Sequence, residues 1–207
     1  MTKPNDEYVW DQYTPEYSNQ IKQLQSHDGL DFMVTSFNHV NDQLAIHDNL
    51  HDNWREIYHV AWELKPASIF ECGCGAMYHL QNLHTILPDA RVTGIDLLQS
   101  QIAFGKEFIG IDQTIADNIL IGDFSAEINI KESFEFVFSH AVIMHLNTER
   151  AQNFLRNMGR ISTKYIFLVE GVANHENWYQ MVRDALPDYE FRLTEKFIDY
   201  GILLTKK

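Results

Sequence analysis

The chain has 207 residues, of which 45% are hydrophobic and 22% charged, which are ordinary proportions for one globular domain. Its formal net charge is −13, from 16 basic and 29 acidic residues, and the basic residues are scattered rather than clustered. Such a surface repels nucleic acid and anionic membranes, and no apolar run approaches the roughly 20 residues of a membrane helix. We therefore expect a cytoplasmic protein with neither nucleic acid nor membrane as a partner.

Residues 1–50 differ in character from the rest of the chain. They are polar, they carry several aromatic residues, and they lack strand-like runs. We expect an amino-terminal helical extension or lid over 1–50 and the main domain over 51–207. The main domain begins with a helix, because apolar residues recur at helical spacing between His51 and Leu64 before Pro66 ends the pattern.

Beyond this helix, short apolar runs alternate with amphipathic stretches. The predicted strands are Ser68–Cys72, Arg91–Ile95, Asn118–Ile121, Phe134–Ser139 and Lys164–Val169. The predicted helices are Tyr78–Leu87, Gln99–Phe108, Glu149–Ile161 and Glu176–Leu186. Glu190–Leu193 and Ile198–Leu204 predict a closing hairpin and hence a terminal antiparallel strand. The alternation is typical of an α/β fold, a Rossmann-like, doubly wound and mostly parallel sheet with both faces covered.

A glycine-rich turn follows the first predicted strand, in the sequence Glu71-Cys72-Gly73-Cys74-Gly75. Glycines let the backbone turn tightly and lie flat against a ligand. A carboxylate two residues before Gly73 is unsuited to a phosphate, but it suits a cationic or hydroxyl-bearing ligand. The motif therefore points to a nucleoside-like cofactor that is held without phosphates.

Polar residues also follow the next three predicted strands. Asp96 comes roughly 20 residues after Gly75, the offset of an acid that accepts hydrogen bonds from a ribose. Asp123 stands beside Phe124, and such a pair suits the amine and the ring of adenine. Ser139 and His140 would lie near the reacting group. Asp96 or Asp123 taken singly is also explained as a helix N-cap, but four such strand ends in order favour a binding site.

Two other clusters carry no assignment. Cys72 and Cys74 are too close in sequence for an ordinary disulfide and too few for a zinc site, so we interpret them as small residues in a crowded turn. His47 and His51 are spaced for one helix face, yet solvated polar residues are the better interpretation. We predict no metal site.

These motifs resemble those of class I S-adenosylmethionine-dependent methyltransferases. The glycine turn resembles the family's first motif, Gly94-Ile95-Asp96 its ribose motif and Gly122-Asp123-Phe124 its adenine motif. The stretch 134–145 resembles the fourth motif, and 160–170 resembles the approach to the fifth strand. The resemblance covers about two-thirds of the chain and implies a sheet of about seven strands. Met144-His145-Leu146 and Asp199-Tyr200-Gly201 resemble small bacterial methylases of sugar or secondary metabolism.

The resemblance implies a methyltransferase with S-adenosyl-L-methionine as its cofactor and a small-molecule acceptor. The residues expected to bind the cofactor are Glu71, Gly73, Gly75, Asp96, Leu97, Asp123, Phe124 and Ser139. The family often has a further glycine where this chain has Met77, which either narrows the cofactor pocket or packs beneath the loop. A nicotinamide dinucleotide is a poorer match, because its third glycine position is Tyr78 here.

Methyl transfer needs the acceptor held about 3 Å from the methyl group and water excluded, with a base only where the acceptor must lose a proton. His140 and His145 are the candidate catalytic bases, although each is also explained as a packing residue. The residues expected at the acceptor are Tyr13, Tyr17, Glu170 and His175. Tyr13 and Tyr17 are spaced for one helix face of a lid, or they simply pack the extension onto the core. The oligomeric state and the acceptor itself are not predicted, and O-methylation, N-methylation, a peptide or protein acceptor and a non-catalytic binding role stay open.

Overall fold

The structure is a computed structural model of the 207-residue chain. It describes residues 29–171, 175–192 and 201–207, together with five isolated positions, Pro15, Glu16, Ser18, Asn19 and Gln23. Tyr13, Tyr17, Asp199 and Tyr200 lie outside the described residues, so the predicted lid contacts of the two tyrosines stay predictions.

The described part of the chain combines nine strands with helices that cover a central sheet. The strands are β1 Phe37–Val40, β2 Gln43–Ile46, β3 Ser68–Cys72, β4 Arg91–Asp96, β5 Ile119–Ile121, β6 Phe134–His140, β7 Ser162–Val169, β8 Tyr189–Arg192 and β9 Ile202–Lys206. The α-helices are α1 Asp52–Leu64, α2 Tyr78–Ile86, α3 Gln99–Phe104, α4 Gln113–Ala116, α5 Thr148–Ile161 and α6 Trp178–Ala185. A π-helix spans Gly105–Ile109 and a 3₁₀-helix spans Ile143–His145.

The central sheet has seven strands in the order β5-β4-β3-β6-β7-β9-β8. Strands β3 to β7 pair in parallel, whereas β9 pairs antiparallel with both β7 and β8. The chain winds outward from β3 to β5 and then returns to β6, so the strand order reverses between β3 and β6. This switch point leaves a crevice at the carboxyl ends of the strands, and the predicted fold class is confirmed.

Alternate side chains of the central strands feed two apolar cores on opposite faces of the sheet. Ile69 and Phe136 pack with α1 and α2, while Phe70 and Val137 pack with α5 and α6. All four side chains are fully buried. Because each strand is buried on both faces, its sequence is a continuous apolar run, which explains why the strands could be located within one or two residues.

The prediction that residues 1–50 lack strands is wrong, because β1 and β2 form an antiparallel hairpin. Asn41 and Asp42 connect them, both with positive φ, as a tight two-residue hairpin turn requires. The pair was a recognisable turn signal, but four-residue strands around it are too short to show a clear alternation. Leu44 and Ile46 of β2 are buried in the same core as α1.

The predicted helix Gln99–Phe108 is also different in detail, since α3 gives way to the π-helix at Gly105. Gly105 lies against the loop after β3, where an added Cβ would stand 2.8 Å from Met77 Cε and press on the Ala76 carbonyl. Close packing of the two segments therefore depends on a glycine within the helix. None of the helices in the described part of the chain has the length and apolarity that crossing a membrane requires.

Met77 packs beneath the loop and does not line the cavity, which is the second of the two predicted alternatives. Its side chain is fully buried, and its φ of 65° lies in the left-handed region. The family's frequent glycine would adopt this conformation without strain, so here a buried side chain offsets a backbone cost of about 1–2 kcal/mol.

We expect Met77→Ala to lower the free energy of unfolding by about 2–4 kcal/mol, because it empties a buried volume and keeps the strained backbone. Met77→Leu, which conserves volume, is the control and should cost less than about 1.5 kcal/mol. Urea unfolding of the full chain measures both. An alanine variant as stable as the wild type would contradict the packing role.

Candidate active site

One cavity lies at the carboxyl ends of β3, β4, β5 and β6, at the switch point of the sheet. The predicted site residues that line it are Glu71, Gly73, Gly75, Asp96, Leu97, Asp123, Phe124, His140 and His145. Lining residues that the sequence did not single out for this site are Cys74, Tyr78, His79, Ile95, Leu98, Gln101, Gly122, Ser125, Ala141, Val142, Leu146, Arg150 and Phe154. The fold thus brings most of the predicted cofactor residues, and both candidate bases, to one place.

The glycine turn is anchored on the neighbouring strand β4. The backbone N–H groups of Gly73 and Cys74 both donate to the Ile95 carbonyl, over 2.8 and 3.0 Å. Gly73 has a φ of 77°, and a Cβ there would stand 2.5 Å from Val142 Cγ2. Of the residues that the structure describes, a Cβ on Gly75 would meet only Gln101, at 3.9 Å, so they leave the cavity side of the turn open to a ligand.

Glu71 carries a buried carboxyl group into the cavity wall. The residue is 2% exposed, and its Oε2 has no hydrogen-bond partner among the described residues. Burial, together with the nearby charge of Asp96, raises the pKa of Glu71 well above its ordinary value. A ligand that donates hydrogen bonds or carries a positive charge would satisfy this oxygen.

Asp96 ends β4 and faces the glycine turn. Its Oδ2 accepts from the Gly75 N–H and its Oδ1 from the Leu98 N–H, both over 2.8 Å. Burial raises the pKa of Asp96, against the opposing effect of these two hydrogen bonds. Each carboxylate oxygen has two acceptor positions, so the group retains capacity for ligand hydroxyls.

Asp123 is held by an ion pair that the sequence did not indicate. Arg150, in the first turn of α5, pairs with Asp123 Oδ2 and donates from Nε to the Ser125 hydroxyl over 2.8 Å. Ser125 in turn donates to Asp123 Oδ1 from its N–H and its hydroxyl, over 2.9 and 2.6 Å. Phe124 is buried and packs edge-on against Phe154. The acid and the ring predicted for an adenine therefore both border the cavity, with a cation beside the acid.

His140 follows β6 and contacts a second histidine. Its Nδ1 lies 3.1 Å from Nε2 of His79, which is the second residue of α2 and is itself buried. Burial, and to a smaller degree the charge of His51, lowers the pKa of His140 to about 4. Ala141 comes next with a φ of 55°, a strained conformation directly beside the cavity.

His145 ends the 3₁₀-helix and lines the same cavity. Burial lowers its pKa below the ordinary value of 6.5. Both candidate bases are therefore neutral near pH 7, which a proton acceptor requires.

Ser139, Glu170 and His175 do not line the cavity but support its floor. The Ser139 hydroxyl donates to Glu170 Oε1 over 2.7 Å, and Glu170 Oε2 accepts from the N–H groups of Val142 and Ile143. His175 Nε2 lies 3.0 Å from the carbonyl of Ile143. The three residues fix the turn after β6, and their predicted contacts with cofactor or acceptor stay predictions.

The comparisons with known proteins agree with this geometry. Residues 69–164 match the family model described as methyltransferase domain. The predicted class is thereby confirmed: an S-adenosylmethionine-dependent methyltransferase, for which that compound is the cofactor. No curated protein matches the chain in sequence.

Solved structures share the fold at low sequence identity. Magnesium protoporphyrin IX methyltransferase from Synechocystis PCC 6803, with bound SAH, has a TM-score of 0.61 and 13% identity over 95% of this chain and 97% of that one. An amino pentose methyltransferase from Micromonospora echinaspora has a TM-score of 0.61 and 12% identity over 76% and 91%. Human N-acetylserotonin methyltransferase has a TM-score of 0.57 and 12% identity over 75% of this chain, which spans only 52% of that protein. These likenesses establish the fold.

We expect Gly73→Ala to lower the free energy of unfolding by about 2 kcal/mol. The alanine backbone would have to adopt the left-handed region, and its Cβ would clash with Val142. Gly122→Ala is the matched control, since that glycine also lines the cavity but its Cβ would make only an ordinary contact of 3.5 Å with Ile95. Chemical unfolding measures both variants. Equal stabilities for the two would show that the turn tolerates a side chain.

The raised pKa of Glu170 predicts that the stability of the protein depends on pH. Burial raises its pKa from 4.5 to about 7, although four hydrogen bonds oppose the rise. Between these values the unfolded chain has lost the proton that the folded chain keeps, so the stability falls as the pH rises and is level above pH 7. Relative to Glu170→Gln, the wild type should lose on the order of 2 kcal/mol over this interval.

Urea unfolding of both proteins at about pH 5 and about pH 8 measures this difference. Glutamine retains the shape and an oxygen acceptor for the backbone N–H groups, so the comparison isolates the ionisation. A wild-type stability that rises relative to the variant between these pH values would contradict the assignment.

Proposed function

We propose that this protein transfers the methyl group of S-adenosyl-L-methionine to an oxygen or nitrogen atom of a small-molecule acceptor, of the sugar or secondary-metabolite type. The observation that carries the proposal is the single cavity that joins the glycine turn to Glu71, Asp96, Asp123 and His140. Its residue types match the parts of that cofactor, and its open end leaves room for an acceptor.

The residues present fit the cofactor part by part. The open side of Gly75 accommodates a closely approaching ligand, and the spare acceptor positions of Asp96 suit the two ribose hydroxyls. The Glu71 oxygen that has no partner in the described part of the chain suits the ammonium group of the methionine part. Asp123 and Phe124 suit the amine and the ring of adenine, and Leu97, which lines the cavity and is 41% exposed, would contact the cofactor from the β4 side.

When it is bound, the cofactor supplies an electrophilic methyl group. The chain itself has to position the acceptor atom in line with that group and to exclude water. His140 and His145 reach the cavity from the end of β6 and from the following turn, where an acceptor would approach. A neutral histidine there takes a proton from an acceptor hydroxyl or ammonium, or hydrogen-bonds an acceptor that needs no base.

The alternatives are weighed by two observations. A Met77 side chain that narrowed the cofactor pocket would favour a non-catalytic role, but Met77 packs outside the cavity. A peptide or protein acceptor would have to be basic to suit a net charge of −13. The similar solved structures include an amino pentose methyltransferase and a plantazolicin methyltransferase. The fold therefore does not decide the acceptor, and the proposal of a small-molecule acceptor is based on the site.

We expect S-adenosylhomocysteine to bind the wild type with a micromolar Kd by calorimetry. Asp96→Ala should bind it at least about tenfold more weakly, because it removes the expected ribose acceptor and frees the Gly75 N–H. Asp89→Ala is the control, since Asp89 is an exposed acid outside the cavity. Wild-type protein that binds no S-adenosylhomocysteine would end the proposal.

The acceptor class is tested with methyl-labelled cofactor and a cell lysate. Label recovered in the small-molecule fraction supports the proposal, whereas label only in a protein band on a gel would replace it with the peptide or protein alternative.

A further inference from the structure

A chain of four polar side chains runs from the cavity to the segment ahead of β1. His140 Nδ1 lies 3.1 Å from His79 Nε2, and His79 Nδ1 lies 2.8 Å from the Tyr58 hydroxyl. Asn82 donates from Nδ2 to the same hydroxyl over 2.7 Å. His79, Tyr58 and Asn82 are at most 2% exposed. Because buried polar groups are hydrogen-bonded, the direction of each bond along this chain determines where the protons lie.

The direction of the chain is set by the backbone at its far end. The N–H of Val34 can only donate, and it contacts Asn82 Oδ1 over 2.8 Å. The carbonyl of Phe32 can only accept, and it contacts Asn82 Nδ2 over 2.8 Å. These two contacts leave one orientation of the amide, in which Nδ2 donates to the Tyr58 oxygen.

The same direction continues to the cavity. The Tyr58 oxygen accepts from Asn82, and the Tyr58 hydroxyl donates its own hydrogen to His79 Nδ1, which lies 2.8 Å away. Burial lowers the pKa of His79 well below its ordinary value, so the ring is neutral and carries its single proton on Nε2. His79 therefore donates to Nδ1 of His140.

We propose that this chain holds His140 as the neutral imidazole with its proton on Nε2, so that His140 presents an N–H donor to the cavity and is not the base of the reaction. The inference deepens the proposed function and rests on it. A donor at this position selects an acceptor molecule with an oxygen lone pair beside the methylated atom, and it disfavours an ammonium group there. His145 is then the histidine left to take a proton where the acceptor must lose one.

The opposite tautomer is disfavoured by the contacts at Tyr58. It would require His140 and His79 each to donate from Nδ1, so that Asn82 and His79 would both donate to one phenol oxygen. The hydrogen bond from the phenol to the His79 nitrogen would be lost. His79, Tyr58 and Asn82 are thus positioning residues that act on the ligand through His140.

Nuclear magnetic resonance of the full chain, labelled with ¹⁵N at histidine, tests the proposal at neutral pH. Two-bond proton–nitrogen spectra distinguish a protonated ring nitrogen from a bare one. We expect His79 and His140 both to show a bare Nδ1 and a protonated Nε2. A protonated Nδ1 on His140, in either the neutral or the charged ring, would overturn the proposal.

Tyr58→Phe tests whether the chain is responsible. It removes only the hydroxyl, so the two tautomers of the histidine pair become comparable and His140 should gain a protonated Nδ1 fraction. Tyr189→Phe is the matched control, because it also removes a buried, hydrogen-bonded tyrosine hydroxyl, which donates to the Ser162 carbonyl away from the cavity. An unchanged His140 spectrum in Tyr58→Phe would refute the role of the chain.

The wild-type spectrum decides the tautomer even where the Tyr58→Phe chain does not fold. Calorimetry with S-adenosylhomocysteine on the same wild-type sample separates the two proposals. Binding together with a protonated Nδ1 on His140 would refute this inference alone. A bare Nδ1 without binding would refute the proposed function and leave only the tautomer established.

Discussion

The turn after β3 is the constraint on which the rest of the site depends. Two N–H groups of that turn, from Gly73 and Cys74, share the Ile95 carbonyl of β4, and a third, from Gly75, reaches the Asp96 carboxylate. The absence of a side chain at Gly73 lets Val142 close on the turn from beyond β6. One short turn therefore joins the ends of β3, β4 and β6, and the cavity is the space that it leaves open.

Two carboxyl groups at the strand ends around this cavity are costly to bury. Glu71 and Glu170 both lose hydration, which favours their protonated forms. Glu170 recovers part of that cost from the Ser139 hydroxyl in β6 and from three N–H groups in the turn after β6, whereas Glu71 keeps one oxygen without a partner among the described residues. Glu170 therefore stabilises the fold, whereas the carboxyl group of Glu71 is available to bind a ligand.

The polar chain behind His140 gives the segment ahead of β1 a connection to the site. Phe32 and Val34 are buried in the core, and their backbone groups orient the amide of Asn82. The amino-terminal segment was expected to act as a lid over the cavity. Residues 29–50 contribute side chains to the same core as α1 and α2, and Phe32 and Val34 are connected to the cavity through the hydrogen bonds of Asn82. The lid stays a prediction.

Local sequence explains why some elements were predicted and others were not. The central parallel strands β3, β6 and β7 are largely buried on both faces, so apolar runs such as 134–138 identified them within a residue or two. The hairpin β1–β2 was missed because four-residue strands show too little alternation. The π-helix was missed because it depends on the close packing of Gly105 against Ala76, a residue distant in sequence. The sequence placed Ser139 at the end of β6 and Glu170 directly after β7. It did not predict the hydrogen bond between these two side chains.

The sequence by itself determined the class of fold, the glycine turn and the acids at the strand ends, because these depend on residue type and on spacing along the chain. Only the tertiary structure decided that Arg150 pairs with Asp123 and that Met77 packs away from the cavity. It also decided the direction of the hydrogen bonds that reach His140. Each of these joins segments far apart in sequence, and such contacts leave no local pattern, because they are selected by the geometry of packing rather than by the propensity of any one segment.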